Sequence, residues 1–173
     1  KDKKVDLNYP DFLRKGVEVY RYDSEFELLQ DFFKKYQEIQ PTIVTGWNSE
    51  GFDIPYLYNR ACKVVGAGVA STLSPIGIVR WSEYKERHKI AGVSHLDYYD
   101  LYRKFTYTNR ESYRLDHIAH IELGESKDDN PYETFREWYL KDFQSFIDYN
   151  IQDVEIVDRL EDKMRLIELC LTM

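Results

Sequence analysis

Two aspartates, far apart in the 173-residue chain, stand in settings suited to chemistry. Asp53 closes the run Pro41-Thr-Ile-Val-Thr-Gly-Trp-Asn-Ser-Glu-Gly-Phe-Asp53, which reads as a strand, a glycine-flanked turn and the start of a helix. An acid at the mouth of a strand–loop–helix unit lies where open α/β sheets place ligands, beyond the carboxyl ends of the strands. Asp153 follows Tyr149 by four positions in a strongly helical segment, so both side chains leave one helix face. That pairing sets a carboxylate able to hold a cation beside a phenol able to orient water. Asn48, in the turn, joins the set. Plainer roles exist for each. Asp53 before Ile-Pro is a good helix N-cap, and Asn48 can bond to its own turn. Tyr149 and Asp153 also make an ordinary pair on a helix flank. The cap and the ligand roles of Asp53 are compatible, because the positive end of a helix keeps a carboxylate ionised.

Other reactive residue types are less well placed. His95, His117 and His120 lack metal-ligand spacing with any Cys or Glu. Asp97 and Asp100 flank a strand end and read as hydrogen-bonding groups within the fold. No serine sits in a Gly-x-Ser-x-Gly elbow, and no glycine-rich phosphate loop is present. Cys62 and Cys170 have no zinc or Cys-x-x-Cys spacing and read as small core residues of a reducing compartment.

The elements that must position these groups follow from periodicity and punctuation. Val17–Tyr22 alternates and predicts a strand. Ser24-Glu-Phe-Glu27 is a capping box, and Phe26, Leu29, Phe33 and Tyr36 continue at helical spacing until Pro41. The β-branched run Thr42–Thr45 predicts a buried strand, and a helix runs from about Asp53 toward Val65. Residues 76–93 read as an exposed hairpin inserted on the core. Ser94–Tyr98 predicts a core strand that runs into a helix near Asp100–Phe105. A short helix around Leu115–Ile121 precedes a polar loop, Gly124–Pro131. Apolar residues at steps of three and four predict one long amphipathic helix from about Lys141 to Leu169. Residues 1–16 read as an irregular leading segment before a domain over residues 17–173.

Hydrophobic residues at 43% and aromatics at 16% fit a packed globular chain of one domain. The net charge of −7 argues against a domain that grips long duplex DNA with a basic face of its own. An acidic domain that handles nucleic acid uses metal ions as the local positive charge or borrows basic surface from elsewhere. No apolar run reaches membrane-spanning length and no secretory signal opens the sequence, which gives a cytoplasmic expectation.

In combination these segments resemble a known family. Gly46-Trp-Asn-Ser-Glu-Gly-Phe-Asp-Ile-Pro-Tyr-Leu-Tyr-Asn-Arg60 resembles the second exonuclease motif of family B DNA polymerases, Asn-x-x-x-Phe-Asp with its following helix. Tyr149-Asn-Ile-Gln-Asp153 is similar to their third motif, Tyr-x-x-x-Asp. Leu96-Asp-Tyr-Tyr-Asp-Leu-Tyr-Arg-Lys-Phe105 and Ser112-Tyr-Arg-Leu-Asp116 resemble intervening segments of the T4-like phage polymerases, and the hairpin suits that group. The resemblance runs from about Val17 onward. It implies an α/β, RNase H-like (DnaQ-like) fold and a 3′–5′ proofreading exonuclease domain, acting in a phage-infected or bacterial cell. It also implies four carboxylates around two Mg²⁺ or Mn²⁺ ions that activate water and stabilise the leaving oxygen. Asp53 and Asp153 would be metal ligands, Tyr149 would position the attacking water, and Asn48 and Phe52 would meet the frayed DNA strand. The implied partners are a single-stranded or frayed 3′ end and the remainder of a polymerase, with no membrane.

One part of the pattern is missing. The family's first motif, Asp-x-Glu, belongs upstream of Val17, and only Asp23-Ser-Glu25 has that spacing nearby, running straight into the capping box. The expectation is a fragment with a fold incomplete at its N-terminal strands. It should be weak or inactive alone, because half a ligand set binds Mg²⁺ poorly. The absent central strand would leave backbone groups exposed beside Thr45, to be covered by a homodimer, a swapped segment or Val17–Tyr22. Two other readings stay open: a self-sufficient DEDD-type nuclease using Asp23 and Glu25, and a non-catalytic module whose tyrosines stack on single-stranded DNA or that binds a partner.

Overall fold

Helix α1 (Glu25–Ile39) begins where the sequence places it. Ser24 Oγ accepts the Glu27 N–H at 3.3 Å, and Glu25 and Glu27 sit at the positive end of the helix. It ends at Gln40, whose left-handed φ of 48° turns the chain into Pro41. The computed structural model describes residues 16–125 and 131–173. The leading segment up to residue 15 and most of the expected Gly124–Pro131 loop lie outside the described residues.

Strand β1 (Ile43–Gly46) enters next and is followed by α2 (Asp53–Val64), α3 (Ala67–Ala70) and a 3-10 turn, Ser71–Leu73. An antiparallel hairpin, β2 (Val79–Ser82) and β3 (Arg87–Ile90), precedes β4 (Ser94–Asp97). Strand β4 lies parallel to β1, in a register that runs from Ile43 opposite Ser94 to Gly46 opposite Asp97. The remaining elements are α4 (Tyr98–Phe105), α5 (Leu115–Leu123), α6 (Phe135–Lys141), α7 (Phe143–Met164) and α8 (Leu166–Thr172). The architecture is mixed α/β with small sheets, as the sequence implies.

The apolar interior has two parts. One gathers Tyr98 and Tyr102 of α4, Ile118 of α5, Ile156 and Leu160 of α7 and Leu166 of α8, with Trp47 packed against it. The other joins Leu29 and Phe33 of α1 to Ile54 and Ala61 of α2, Leu73 and Ile90. Each large side chain fully buried in this way contributes about 1.5–3 kcal/mol. Cys62 and Cys170 are free thiols packed at the edges of these clusters.

Two expectations are corrected. Val17–Tyr22 forms no strand. Its aromatic residues lie on α1 instead: the Tyr22 hydroxyl donates to Asp31, and the Lys35 ammonium sits 2.9 Å from the centre of the Tyr20 ring. The segment therefore does not cover β1, which among the described residues pairs only with β4. The single helix expected from about Lys141 to Leu169 is two, α7 and α8, and it starts close to the expected point. Asp142 leaves helical geometry and its carboxylate caps α7, accepting the Ser145 N–H at 3.2 Å. Arg165 adopts a left-handed φ of 53°, and the Glu161 carboxylate takes up the N–H groups of Ile167 and Glu168 at 3.1 and 3.3 Å. The chain thereby turns without glycine or proline.

Candidate functional site: the acidic end of the parallel strand pair

Strands β1 and β4 end side by side, and the loop of residues 47–52 leaves β1 across the end of β4. Asp97 holds that loop. It is 4% exposed. Its Oδ1 accepts N–H bonds from Asn48 at 2.9 Å and Tyr99 at 3.0 Å, and its Oδ2 accepts one from Glu50 at 2.9 Å. One carboxylate thus caps α4 and pins the start of the loop. Burial pushes its pKa up, while the N–H groups of Glu50, Asn48 and Tyr99 oppose the shift.

Asn48 takes the turn role open to it. With φ at 60°, its carbonyl accepts the N–H groups of Gly51 and Phe52 at 3.2 and 3.0 Å. A Cβ on Gly51 would stand 2.6 Å from Asn48 Oδ1, so a side chain there would displace the Asn48 amide. Asp53 is not the N-cap. Phe52 occupies that position without a side-chain cap, and Asp53 is the first helical residue of α2. There it keeps the favourable end of the helix. Burial raises the Asp53 pKa, opposed by its own backbone N–H; the Asp97 charge adds to the rise and His95 counters it. Phe52 is 67% exposed beside it.

Sequence reasoning set His95 aside, yet it sits at the centre of this end. Its Nε2 lies 2.8 Å from Ser49 Oγ, and its Nδ1 lies 3.9 Å from Glu50 Oε1. The residue types are those of an acyl-transfer relay, but Ser49 is 6% exposed and the His–Glu gap exceeds hydrogen-bond reach. The trio buttresses the loop. Burial lowers the His95 pKa and favours the neutral ring. The available signal was strand periodicity, since His95 and Asp97 point to the same side of β4. Arg87 is a second omission: its Nη1 donates to Glu50 Oε2 and to Asp100 Oδ2, both at 2.6 Å.

Tyr149 and Asp153 lie one turn apart on α7. The Tyr149 ring is 4.8 Å from that of Trp138 and 6.0 Å from that of Phe135. It lines a cleft of about 410 Å³ with Trp138, Gln152, Glu155 and Arg159. The structure brings Asn48, Phe52 and Asp53 together with Asp97 and His95. The charged neighbours that shift Asp53 are Asp97 and His95, and the α7 pair is not among them.

A divalent metal centre needs several carboxylates. Among the described residues no three of Asp, Glu, His and Cys are gathered so as to hold a metal ion. Both Asp97 oxygens are occupied by backbone N–H groups. Glu25 is held by both arms of the Arg60 guanidinium, Nε donating to Oε1 at 2.6 Å and Nη2 to Oε2. The described residues therefore do not by themselves fit a complete two-metal site. Among them, too, no helix is long and apolar enough to cross a membrane.

An α/β domain with acids and a polar loop at the carboxyl end of parallel strands belongs to a broad class of ligand-binding folds. Comparison with known proteins narrows it. The family model for the DNA polymerase family B exonuclease domain matches residues 2–118, which include Asn48, Phe52 and Asp53 and end before α7. The DNA-directed DNA polymerase of Escherichia phage RB69 is 42% identical over 161 residues, covering 88% of this chain and 17% of that protein. That of Enterobacteria phage T4 is 39% identical over 160 residues, 88% of this chain and 18% of the relative. DNA polymerase 1 of Saccharolobus solfataricus is 32% identical over 161 residues, 90% of this chain and 17% of the relative. The chain belongs to the family B DNA polymerase exonuclease-domain family. It spans less than a fifth of the length of these relatives.

Proposed function

We propose that this chain works as the 3′–5′ proofreading exonuclease domain of a DNA polymerase, in an RNase H-like arrangement over residues 17–173 with residues 76–93 as an inserted hairpin. The observation that carries this reading is the family match across β1, the 47–52 loop and the start of α2. In this reading the frayed 3′ end of a DNA strand meets the loop. Asn48 lies beside it, and the exposed Phe52 ring offers a face on which a base can stack. Asp53 and Asp153 are the metal ligands this chain supplies to Mg²⁺ or Mn²⁺, and Tyr149 orients the water. The described residues do not gather a full ligand set by themselves, so the remaining ligands come from outside them. The partner is the remainder of a polymerase in a phage-infected or bacterial cell. Its basic surface would offset the net charge of −7 on this chain.

The test uses labelled DNA with a single-stranded 3′ or 5′ overhang, in Mn²⁺, with the chain and its Asp53→Ala variant. The expected result is preference for the 3′ overhang, weakened by the substitution, with any shortening proceeding from the 3′ end. Equal binding of both overhangs by the unaltered chain would overturn the reading.

A further inference from the structure

Arg87 is the first residue of β3, directly after a hairpin turn in which Glu86 adopts a left-handed φ of 51°. It lies opposite Ser82, at the turn end of the hairpin. From there one nitrogen, Nη1, reaches Glu50 in the loop after β1 and Asp100 in α4. A single guanidinium thus joins three elements. The hairpin is itself anchored to α2, because the His88 ring is 9% exposed and lies 4.7 Å from that of Tyr58. We propose that Arg87 is a positioning residue: by drawing Glu50 and Asp100 together it fixes the loop that presents Asn48, Phe52 and Asp53. What that loop does rests on the reading above; how it is held does not.

The rival account is that Asp97 alone suffices, since it already binds the N–H groups of Asn48 and Glu50, and partly exposed ion pairs often contribute little. The geometry favours a role for Arg87. Glu50 and Asp100 share the same nitrogen, so their oxygens are crowded together. Without the cation between them, two like charges face each other and push the loop away from α4. Because one nitrogen serves both acids, a lysine ammonium can replace it in part. Charge at that point, rather than guanidinium shape, is what the loop requires.

The experiment compares the 173-residue chain with Arg87→Met, Arg87→Lys and Asp100→Asn. Amide hydrogen exchange at Gly51 and Phe52, both bonded to the Asn48 carbonyl, is read beside the melting temperature and the affinity for a 3′ overhang. Exchange at these two amides should quicken about fivefold in Arg87→Met. Arg87→Lys should stay near the parent, Asp100→Asn should lie between, and melting should move little. A matching loss of overhang affinity in Arg87→Met, recovered in Arg87→Lys, supports the role at the site. Unchanged exchange in Arg87→Met, or equal behaviour of Met and Lys, overturns it. If Arg87→Met does not fold, Arg87→Lys and Asp100→Asn decide: equal exchange in those two overturns the proposal. A parent chain that ignores 3′ ends refutes the proposed function instead, and the exchange pattern still decides the case of Arg87.

Discussion

Asp97 is the residue on which the acidic end depends most directly, and its substitution has a size that can be worked out. Three backbone N–H groups donate to a carboxylate that is 4% exposed. In Asp97→Asn the surviving oxygen can serve Asn48 and Tyr99, but the new amide nitrogen then faces the Glu50 N–H, donor against donor. A hydrogen bond to a charged group contributes about 1.5–3 kcal/mol, so this variant should lose about 2 kcal/mol. Asp97→Ala forfeits all three bonds, of which the one from Tyr99 is the α4 cap and contributes about 1 kcal/mol. The loop is exposed at Asn48 and only half-buried at Glu50, and water recovers part of the loss, leaving about 3–4 kcal/mol. For a chain of this size each kcal/mol lowers Tm by about 2–4 °C, so Asn should melt about 6 °C and Ala about 10 °C below the parent. Calorimetry and urea unfolding followed by tryptophan fluorescence measure both. An Asn variant as stable as the parent would mean that the Glu50 bond holds nothing, and the account of this loop would fail.

Two further predictions rest on local chemistry. Burial lowers the His88 pKa below its ordinary 6.5, so the unfolded chain takes up that proton first and stability falls as pH drops from 6.5 toward the lowered value. Replacing the ring by His88→Phe should flatten part of that decline in pH-dependent unfolding, with the lowered His95 still contributing in the same direction; an unchanged slope would contradict it. Gly124 closes α5 at φ 71°, with nothing within 4 Å of a Cβ placed there. Gly124→Ala should therefore cost only backbone strain, about 1 kcal/mol in urea unfolding, and Gly124→Asn less.

The sequence was most legible where a local signal decides an element. The Ser24 cap, the β-branched run before Gly46, the helix after Phe52 and the two hairpin strands all lie close to where patterning puts them. It misled where the deciding partner is distant. Alternation at Val17–Tyr22 has the period of a strand, but Asp31 and Lys35 of α1 capture its tyrosines. The continuous stripe across Arg165 conceals a break, because the capping group is the Glu161 side chain rather than a glycine. Asn48 was legible as a turn residue and Asp53 as the start of a helix. Ser49, Arg87 and His95 were not, since their roles arise from contacts dozens of positions apart.

The pairing of β1 with β4 bears on how the molecule is built in time. The Thr45 hydroxyl reaches the Leu96 carbonyl at 2.7 Å, between residues 51 positions apart. Until the intervening helices and hairpin are laid down, neither four-residue strand has anything to zip against, and closing so wide a span is slow beside the local contacts within each helix. A chain emerging from the ribosome therefore has α1 and α2 in place before the parallel pair that makes its acidic end.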